Sequence, residues 1–362
     1  TLTYEDVTNI DSVGLITARN GIIVGGGVTI SKDGDGFFTG VVTATTFSGT
    51  YTGDGSALTG VASTENIRTN TNATFLQNVN VGVAITAGKL GIGFTDSNVK
   101  IGNTALDSQT TGSDNTAVGH NALTANTTAD NCVAVGAYAL DANTTGNSNT
   151  GVGRNALSSN TTAAANTAVG AYAIQLNTTG AQNTAVGALS LDANTTGSDN
   201  TAIGYGALGA NTTADGNTAV GYNSLDANTT GANNTGVGHR ALTENTTGDS
   251  NTALGVQALN SNTTANNNTA LGYQSLLFTT TGANNAAVGK DALRANTTGE
   301  DNVAIGEQTL KSNTTANYNI AVGSQALEAN TTGASNVSVG HQSLHSNTTA
   351  SNNTAVGYRV LE

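Results

Sequence analysis

Aliphatic, small and polar positions recur along residues 102–362 with one fixed spacing. A glycine returns every 17 residues from Gly102 to Gly357, sixteen times, without insertion or deletion. The unit reads G-x-x-[A/S]-L-x-x-N-T-T-[G/A]-x-x-N-T-A-V, and the residue before each glycine is Val, Ile or Leu. A fixed period of this length is the signature of stacked repeats.

The residues just before each glycine predict a short β-strand. In residues 115–118, for example, Thr116 and Val118 flank the small residue Ala117. Such alternation gives a strand with one aliphatic face and one face of small residues. Thr, Asn and Gly are poor helix formers, so a helix is disfavoured. We therefore predict an all-β chain in which each repeat is a flattened coil of two short strands and two turns.

Stacking such coils predicts a parallel β-solenoid, or β-roll, of sixteen coils. Coils that rise about 4.8 Å each make a rod about 75 Å long. Pairing in register stacks identical residues, and the Asn of each N-T-T is expected to form a structural ladder of side-chain amides. In the coil with Phe278, the run Leu277–Thr281 replaces that Asn, and we expect a local bulge there rather than a binding spot. Residues expected in this ladder include Asn126, Asn143, Asn160, Asn228, Asn262 and Asn313.

The core of one coil is thin. Two or three aliphatic side chains contribute roughly 1.5–3 kcal/mol each, whereas ordering the chain costs about 1.5 kcal/mol per residue. Backbone pairing between coils offsets only part of this difference. Covering the second apolar strand face with partner chains would supply the rest, so we expect a homo-oligomer.

The first hundred residues have a different texture, with short aliphatic runs between glycines. We predict a short-stranded β region at 1–64, used for attachment or intertwined between chains, then transition coils at 65–101 and the rod at 102–362. The expected strands lie at residues 13–17, 21–24, 28–30 and 41–44, and irregular first coils lie at 81–85 and 89–93.

Composition narrows the function classes. The net charge is −13 and only 10% of residues are charged, which disfavours nucleic acid and anionic membrane as partners. The sequence contains no apolar stretch of about 18 residues, so no membrane-spanning helix is predicted. Cys132 is the only cysteine and is expected to be a small, half-buried side chain rather than a reactive thiol. The chain has no methionine, so we expect it to be part of a longer polypeptide.

No catalytic constellation stands out, and we expect no enzyme activity, no cofactor and no metal site. Asp33 and Asp35 lack the later ligands of a calcium loop and predict a plain turn. His341 and His345 fall on different parts of one coil. The variable position after the glycine, which includes His120 and His239, is expected to face outward. A candidate receptor-contact surface is formed by the tyrosines, which are alternatively plain solvated residues: Tyr138, Tyr172, Tyr205, Tyr222, Tyr273 and Tyr358.

Several segments resemble known families. Residues 302–306 (Asn-Val-Ala-Ile-Gly) and 336–340 (Asn-Val-Ser-Val-Gly) resemble the head repeats of YadA-like trimeric autotransporter adhesins. The 17-residue form with N-T-T-G resembles repeats of phage tail-fibre proteins still more closely. Residues 2–18, 36–40 and 43–49 resemble structural proteins of marine cyanophages. These resemblances imply a left-handed parallel β-roll in a homotrimer.

The leading expectation is a structural and adhesive fibre protein of a tailed phage, located on the virion. It would associate with itself and with other tail or baseplate proteins, and would contact a glycan or protein of the host cell surface. The alternative is the passenger head of a bacterial trimeric surface adhesin. A remote alternative is an ice-binding β-solenoid, which the threonine columns suggest although a flat T-x-T array is missing.

Overall fold

The computed structural model of the chain describes residues 21–24, 28–31, 36–38 and 97–362. The chain divides into two compact units, Thr1–Ile85 and Thr86–Glu362. Every regular element in the described ranges is a β-strand, and none of these residues is helical. The all-β class expected from the sequence is confirmed, whereas the boundaries at residues 64 and 101 stay predictions.

The first unit contains a three-stranded antiparallel sheet in the order β1-β2-β3. β1 (Gly21–Val24) pairs with β2 (Val28–Ser31), and β2 pairs with β3 (Gly36–Phe38). The sequence predicts the first two strands but not β3. Outside the described residues lie Asp33, Asp35, the strands expected at 13–17 and 41–44, and the coils expected at 81–85 and 89–93.

The second unit is a parallel β-solenoid, as the repeat predicts. Sixteen strands form one sheet in chain order, and each residue pairs with the residue 17 positions later, as Thr116 does with Val133. The strands are β4 (Val99–Ile101), β5 (Thr116–Val118), β6 (Val133–Val135), β7 (Thr150–Val152), β8 (Thr167–Val169), β9 (Thr184–Val186), β10 (Thr201–Ile203), β11 (Thr218–Val220), β12 (Thr235–Val237), β13 (Thr252–Leu254), β14 (Thr269–Leu271), β15 (Ala286–Val288), β16 (Val303–Ile305), β17 (Ile320–Val322), β18 (Val337–Val339) and β19 (Thr354–Val356).

Each coil contains one strand of three residues, so the expectation of two strands per coil is wrong. The rest of the coil consists of two tight turns, which in the second coil are the leucine turn (residues 119–125) and the asparagine turn (residues 126–132). Leu123 and Asn121 have φ of 54° and 55°, in the left-handed region. Extended backbone cannot continue through such residues, and a leucine there costs about 1–2 kcal/mol. Complete burial of its side chain offsets that cost.

In β5–β19 the small central residue faces inward and the two residues beside it face outward, whereas the central residue of β4 is the exposed Lys100. Ala117 is fully buried together with Ala122 and Leu123 of the leucine turn. The flanking strand residues are half-buried or exposed, and Leu254, for example, is 46% exposed. The core is therefore a column of leucines lined by alanines, while the Val, Ile and Leu residues before the glycines lie on the surface.

Candidate functional site

The asparagines of the N-T-T triplets form a buried ladder inside the solenoid. Asn160 Nδ2 donates to Asn143 Oδ1 at 2.8 Å and also to the carbonyl oxygen of Ala163 at 3.0 Å. The same pair of bonds recurs at Asn228, which donates to Asn211 and Gly231, and at Asn313, which donates to Asn296 and Ala316. Each amide thus closes its own turn and joins two coils, which is a structural role.

The ladder is interrupted at two places. Asn143 Nδ2 donates to Gly146 O and lies 4.0 Å from Cys132 Sγ, and Asn126 Oδ1 has no partner. At the other place Thr279 replaces the asparagine, and its Oγ1 accepts from Asn296 at 3.4 Å. Thr279 makes no hydrogen bond to the preceding rung, so Asn262 Oδ1 is left without a partner.

The coil that contains Thr279 has no bulge, and that expectation is wrong. Thr280 N still donates to Thr297 O at 3.0 Å, in the same 17-residue register as its neighbours. Leu277 and Thr279 are buried, while Phe278 is 44% exposed and lies under the Arg294 guanidinium, 5.2 Å from its ring centroid. The buried threonine fills the asparagine position closely enough to keep the backbone in register.

A second asparagine column, at the residue before each strand, was not assigned a role from the sequence. Asn149 Oδ1 accepts from the backbone N of Asn166 at 2.9 Å, and Asn166 Nδ2 donates to Gly180 O at 3.0 Å. Cys132 occupies this column, where it is fully buried rather than half-buried, and it is a free thiol. Burial raises the pKa of the Cys132 thiol, which leaves it protonated and poorly nucleophilic.

The six candidate tyrosines and His120, His239 and His341 lie on the outer side of the leucine turns, in two adjacent columns. Tyr205, Tyr222, Tyr273 and Tyr358 directly follow their coil glycines, whereas Tyr138 and Tyr172 stand one residue later. Tyr222 stacks on Tyr205 at 5.7 Å and on His239 at 5.4 Å between ring centroids. His341 and His345 make different contacts. His341 stacks on Tyr358, and His345 pairs with Glu328 at 3.2 Å. His120 meets the edge of Tyr138 at 5.3 Å.

Two depressions lie beside these aromatic residues. The first has a volume of about 360 Å³ and lies where Gly206 and Gly209 have no side chain. Its wall includes Tyr205, Asp192 and Asp226. The second, about 440 Å³, is lined by Tyr138, Asp141, Arg154, Asn155, Ser158 and Ser159. Each combines a tyrosine with an asparagine and at least one carboxylate, and the asparagine and the carboxylates hold equivalent repeat positions.

The carboxylates of both depressions are poorly solvated. Burial raises the pKa of Asp141 above its ordinary value. Burial also raises the pKa of Asp192, and the neighbouring Asp226 carboxylate adds to that rise. The pKa of Asp226 is raised by burial and partly lowered again by the Arg240 guanidinium. Groups of this kind gain from a ligand that donates hydrogen bonds to them.

The threonines of the N-T-T triplets form two columns, of which only the second is exposed; we call the second column the exposed threonine file. The first threonine, such as Thr127, is half-buried and its Oγ1 donates to Thr144 O at 3.1 Å. The second, such as Thr128, is exposed. The two columns therefore do not form a flat array of paired, solvent-exposed hydroxyl groups.

In the described ranges, no group of three or more His, Cys, Asp or Glu side chains is placed to hold a metal ion. The same part of the chain has no helix whose length and apolarity suit a bilayer crossing. No protein-family model matches the chain, and the searches of curated proteins and of solved structures returned no match.

Proposed function

We propose that this chain is a structural fibre protein of a tailed phage, whose copies associate along the solenoid and take part in attachment to the host. The observation that carries the proposal is the outward strand face, which we call the aliphatic face: the first and third residues of strands β4–β19. These residues are Thr, Val, Ile, Leu or Ala throughout. An exposed apolar surface that runs the length of a rod is the kind of surface that partner chains cover.

The size of the aliphatic face suits self-association. Sixteen strands spaced about 4.8 Å apart give a length of about 75 Å, and a width of about 10 Å then gives about 750 Å² per chain. Stable interfaces bury about 800 Å² per partner. Because β5–β19 contain no charged residue, covering this face strands no ionised group. A homotrimer, the state that the resemblance implies, would place the three aliphatic faces around one axis.

The resemblance of the N-terminal segments to cyanophage structural proteins favours the phage over the bacterial alternative. An antibody against the solenoid is expected to label tail tips of the parent virion in electron micrographs. Labelling of bacterial outer surfaces without virions would overturn the phage assignment and leave the adhesin.

Self-association is tested by light scattering of the folded chain, where we expect three times the chain mass of 35.8 kDa. The triple variant Val135→Glu, Val169→Glu and Ile203→Glu places charges on the aliphatic face and is expected to give the single-chain mass. The matched control adds the same charge on the exposed threonine file, as Thr145→Glu, Thr179→Glu and Thr213→Glu, and keeps the oligomer. A wild-type chain that is monomeric at all concentrations contradicts the proposal.

A further inference from the structure

We propose that the depression around Gly206 and Gly209 binds a neutral, hydroxyl-rich saccharide unit. This site rests on the proposed function in one respect, namely that the solenoid surface contacts a host receptor. The site arises because two side chains are missing in one coil. The neighbouring coils carry Leu189 and Asn223 at the position of Gly206, and Asp192 and Asp226 at the position of Gly209.

Hydrogen-bond acceptors converge on the space that the two glycines leave. A Cβ atom on Gly209 would stand 2.9 Å from Asp226 Oδ1 and 3.6 Å from Asp192 Oδ1. A Cβ atom on Gly206 would stand 2.7 Å from Asn223 Oδ1. Asn223 Nδ2 donates to Asp226 Oδ2 at 3.2 Å. Carboxylates and an amide oxygen gathered in this way suit a ligand rich in O–H donors.

Unpartnered oxygens occur in both depressions. Five buried side-chain oxygens in the described ranges lack a hydrogen-bond partner. Two of them, on Asn126 and Asn262, are explained by the interruptions of the asparagine ladder. The other three belong to Asn223 in this depression and to Asp141 and Asn155 in the second one. A buried acceptor without a partner costs about 1–3 kcal/mol, and rotation of these side chains toward a hydroxyl would recover that cost.

The wall of the depression supplies an apolar contact. The Tyr205 side chain is 51% exposed and its ring is held by stacking on Tyr222. Leu189 and Ala210 lie on the same rim. A sugar ring has one face of C–H groups and a rim of hydroxyls, so it matches an aromatic wall beside convergent acceptors. An acidic sugar is disfavoured by Asp192, Asp226 and a net charge of −13.

The second depression repeats the chemistry with Tyr138, Asp141 and Asn155. It lies between three and four coils from the first, about 17 Å along the solenoid. Two subsites on one edge would favour a polysaccharide over a monosaccharide, because the second contact forms at high effective concentration.

The test is affinity electrophoresis of the intact chain in native gels that contain a neutral polysaccharide (mannan, dextran or galactan) or the polyuronate alginate. We expect retardation in at least one neutral gel and none in alginate. The double variant Gly206→Asn and Gly209→Thr fills the depression with residues that other coils hold at the same positions, Asn223 and Thr243. It is expected to fold and to migrate freely. Asp226→Asn is expected to weaken binding at least about tenfold.

Tyr273→Ala is the matched control, because Tyr273 occupies the Tyr205 position but lines neither of the two depressions. It should leave retardation unchanged, whereas Tyr205→Ala should reduce it. Equal retardation of the wild type and the filled variant overturns the proposal, as does no retardation in any neutral gel. Retardation that disappears in EDTA also overturns it, because the oxygens would then hold a metal ion. Light scattering on the same samples shows separately whether the self-association proposal fails.

Discussion

The inward and outward columns of the solenoid differ in how freely their residues vary. The leucine position of the repeat, which faces inward in the stacked coils, is changed only once in sixteen coils, to Ile174. The outward position after the glycine holds residues as different as His120, Arg154, Tyr205 and Glu307. An inward residue packs against copies of itself about 4.8 Å above and below, so any change disturbs two neighbours. The uniform positions of the repeat therefore reflect packing. A ligand-binding surface is expected where the outward positions vary.

The largest effect is expected at a glycine of the repeat. Gly221 has a φ of 135°, and a Cβ there would stand 2.5 Å from Gly238 O of the next coil. Because backbone must move to make room, we expect Gly221→Ala to lower the free energy of unfolding by about 4 kcal/mol or more, measured by urea titration. A Cβ on Gly216, at φ 69°, would come closer than 3 Å only to the Asn233 side-chain oxygen, so Gly216→Asn should stay within about 0.5 kcal/mol. Similar losses in both variants would contradict this account.

The leucine column and the aliphatic face give the next contrast. Leu225 is fully buried, so Leu225→Ala is expected to cost about 3 kcal/mol. Val220, five residues earlier, is only half-buried, and Val220→Ala should cost less than about 1 kcal/mol in the single chain. Urea unfolding at concentrations where light scattering gives the single-chain mass makes the comparison. Equal losses there would mean that the aliphatic face is already buried within one chain.

The repeat period was enough to predict the solenoid, its register and the inward asparagines, because stacking leaves one way to align identical coils. The sequence did not reveal that each coil has one strand. That outcome depends on Leu123 and Asn121 adopting left-handed φ, which no local preference of leucine indicates. The depression was missed for a related reason. Gly206 and Gly209 look like ordinary repeat variation until the fold places Asp192 and Asp226 on either side of them.

An asparagine placed in the interrupted ladder should stabilise the chain. In Thr279→Asn the new amide can donate to Asn262 Oδ1, which has no partner, and can accept from Asn296. Completing the bonds is expected to raise the free energy of unfolding by about 1 kcal/mol. Thr281→Asn, on the exposed file of the same coil, is the control and should change it little. A loss of stability in Thr279→Asn would show that the column there cannot admit the amide.

The smallest effect concerns the carboxylates of the first depression. Burial raises the pKa of Asp192 and of Asp226 above 3.8, so the folded chain binds their protons more tightly than the unfolded chain. Their stabilising contribution is then complete below pH 3.8 and is lost as the pH rises through the raised pKa values. When ionised, the Asp226 carboxylate repels that of Asp192, and Asp192→Asn removes this repulsion.

We expect Asp192→Asn to raise the free energy of unfolding at pH 7 by on the order of 0.5 kcal/mol. The gain should shrink toward zero on acidification through the carboxyl range, because the wild-type pair then becomes protonated. Asp199→Asn changes an exposed carboxylate of the same coil and serves as the control. Urea titrations between pH 3 and pH 7 measure both. A gain that grows on acidification would reverse the sign of the linkage and show that a cationic neighbour such as Arg240, rather than burial, governs this edge of the solenoid.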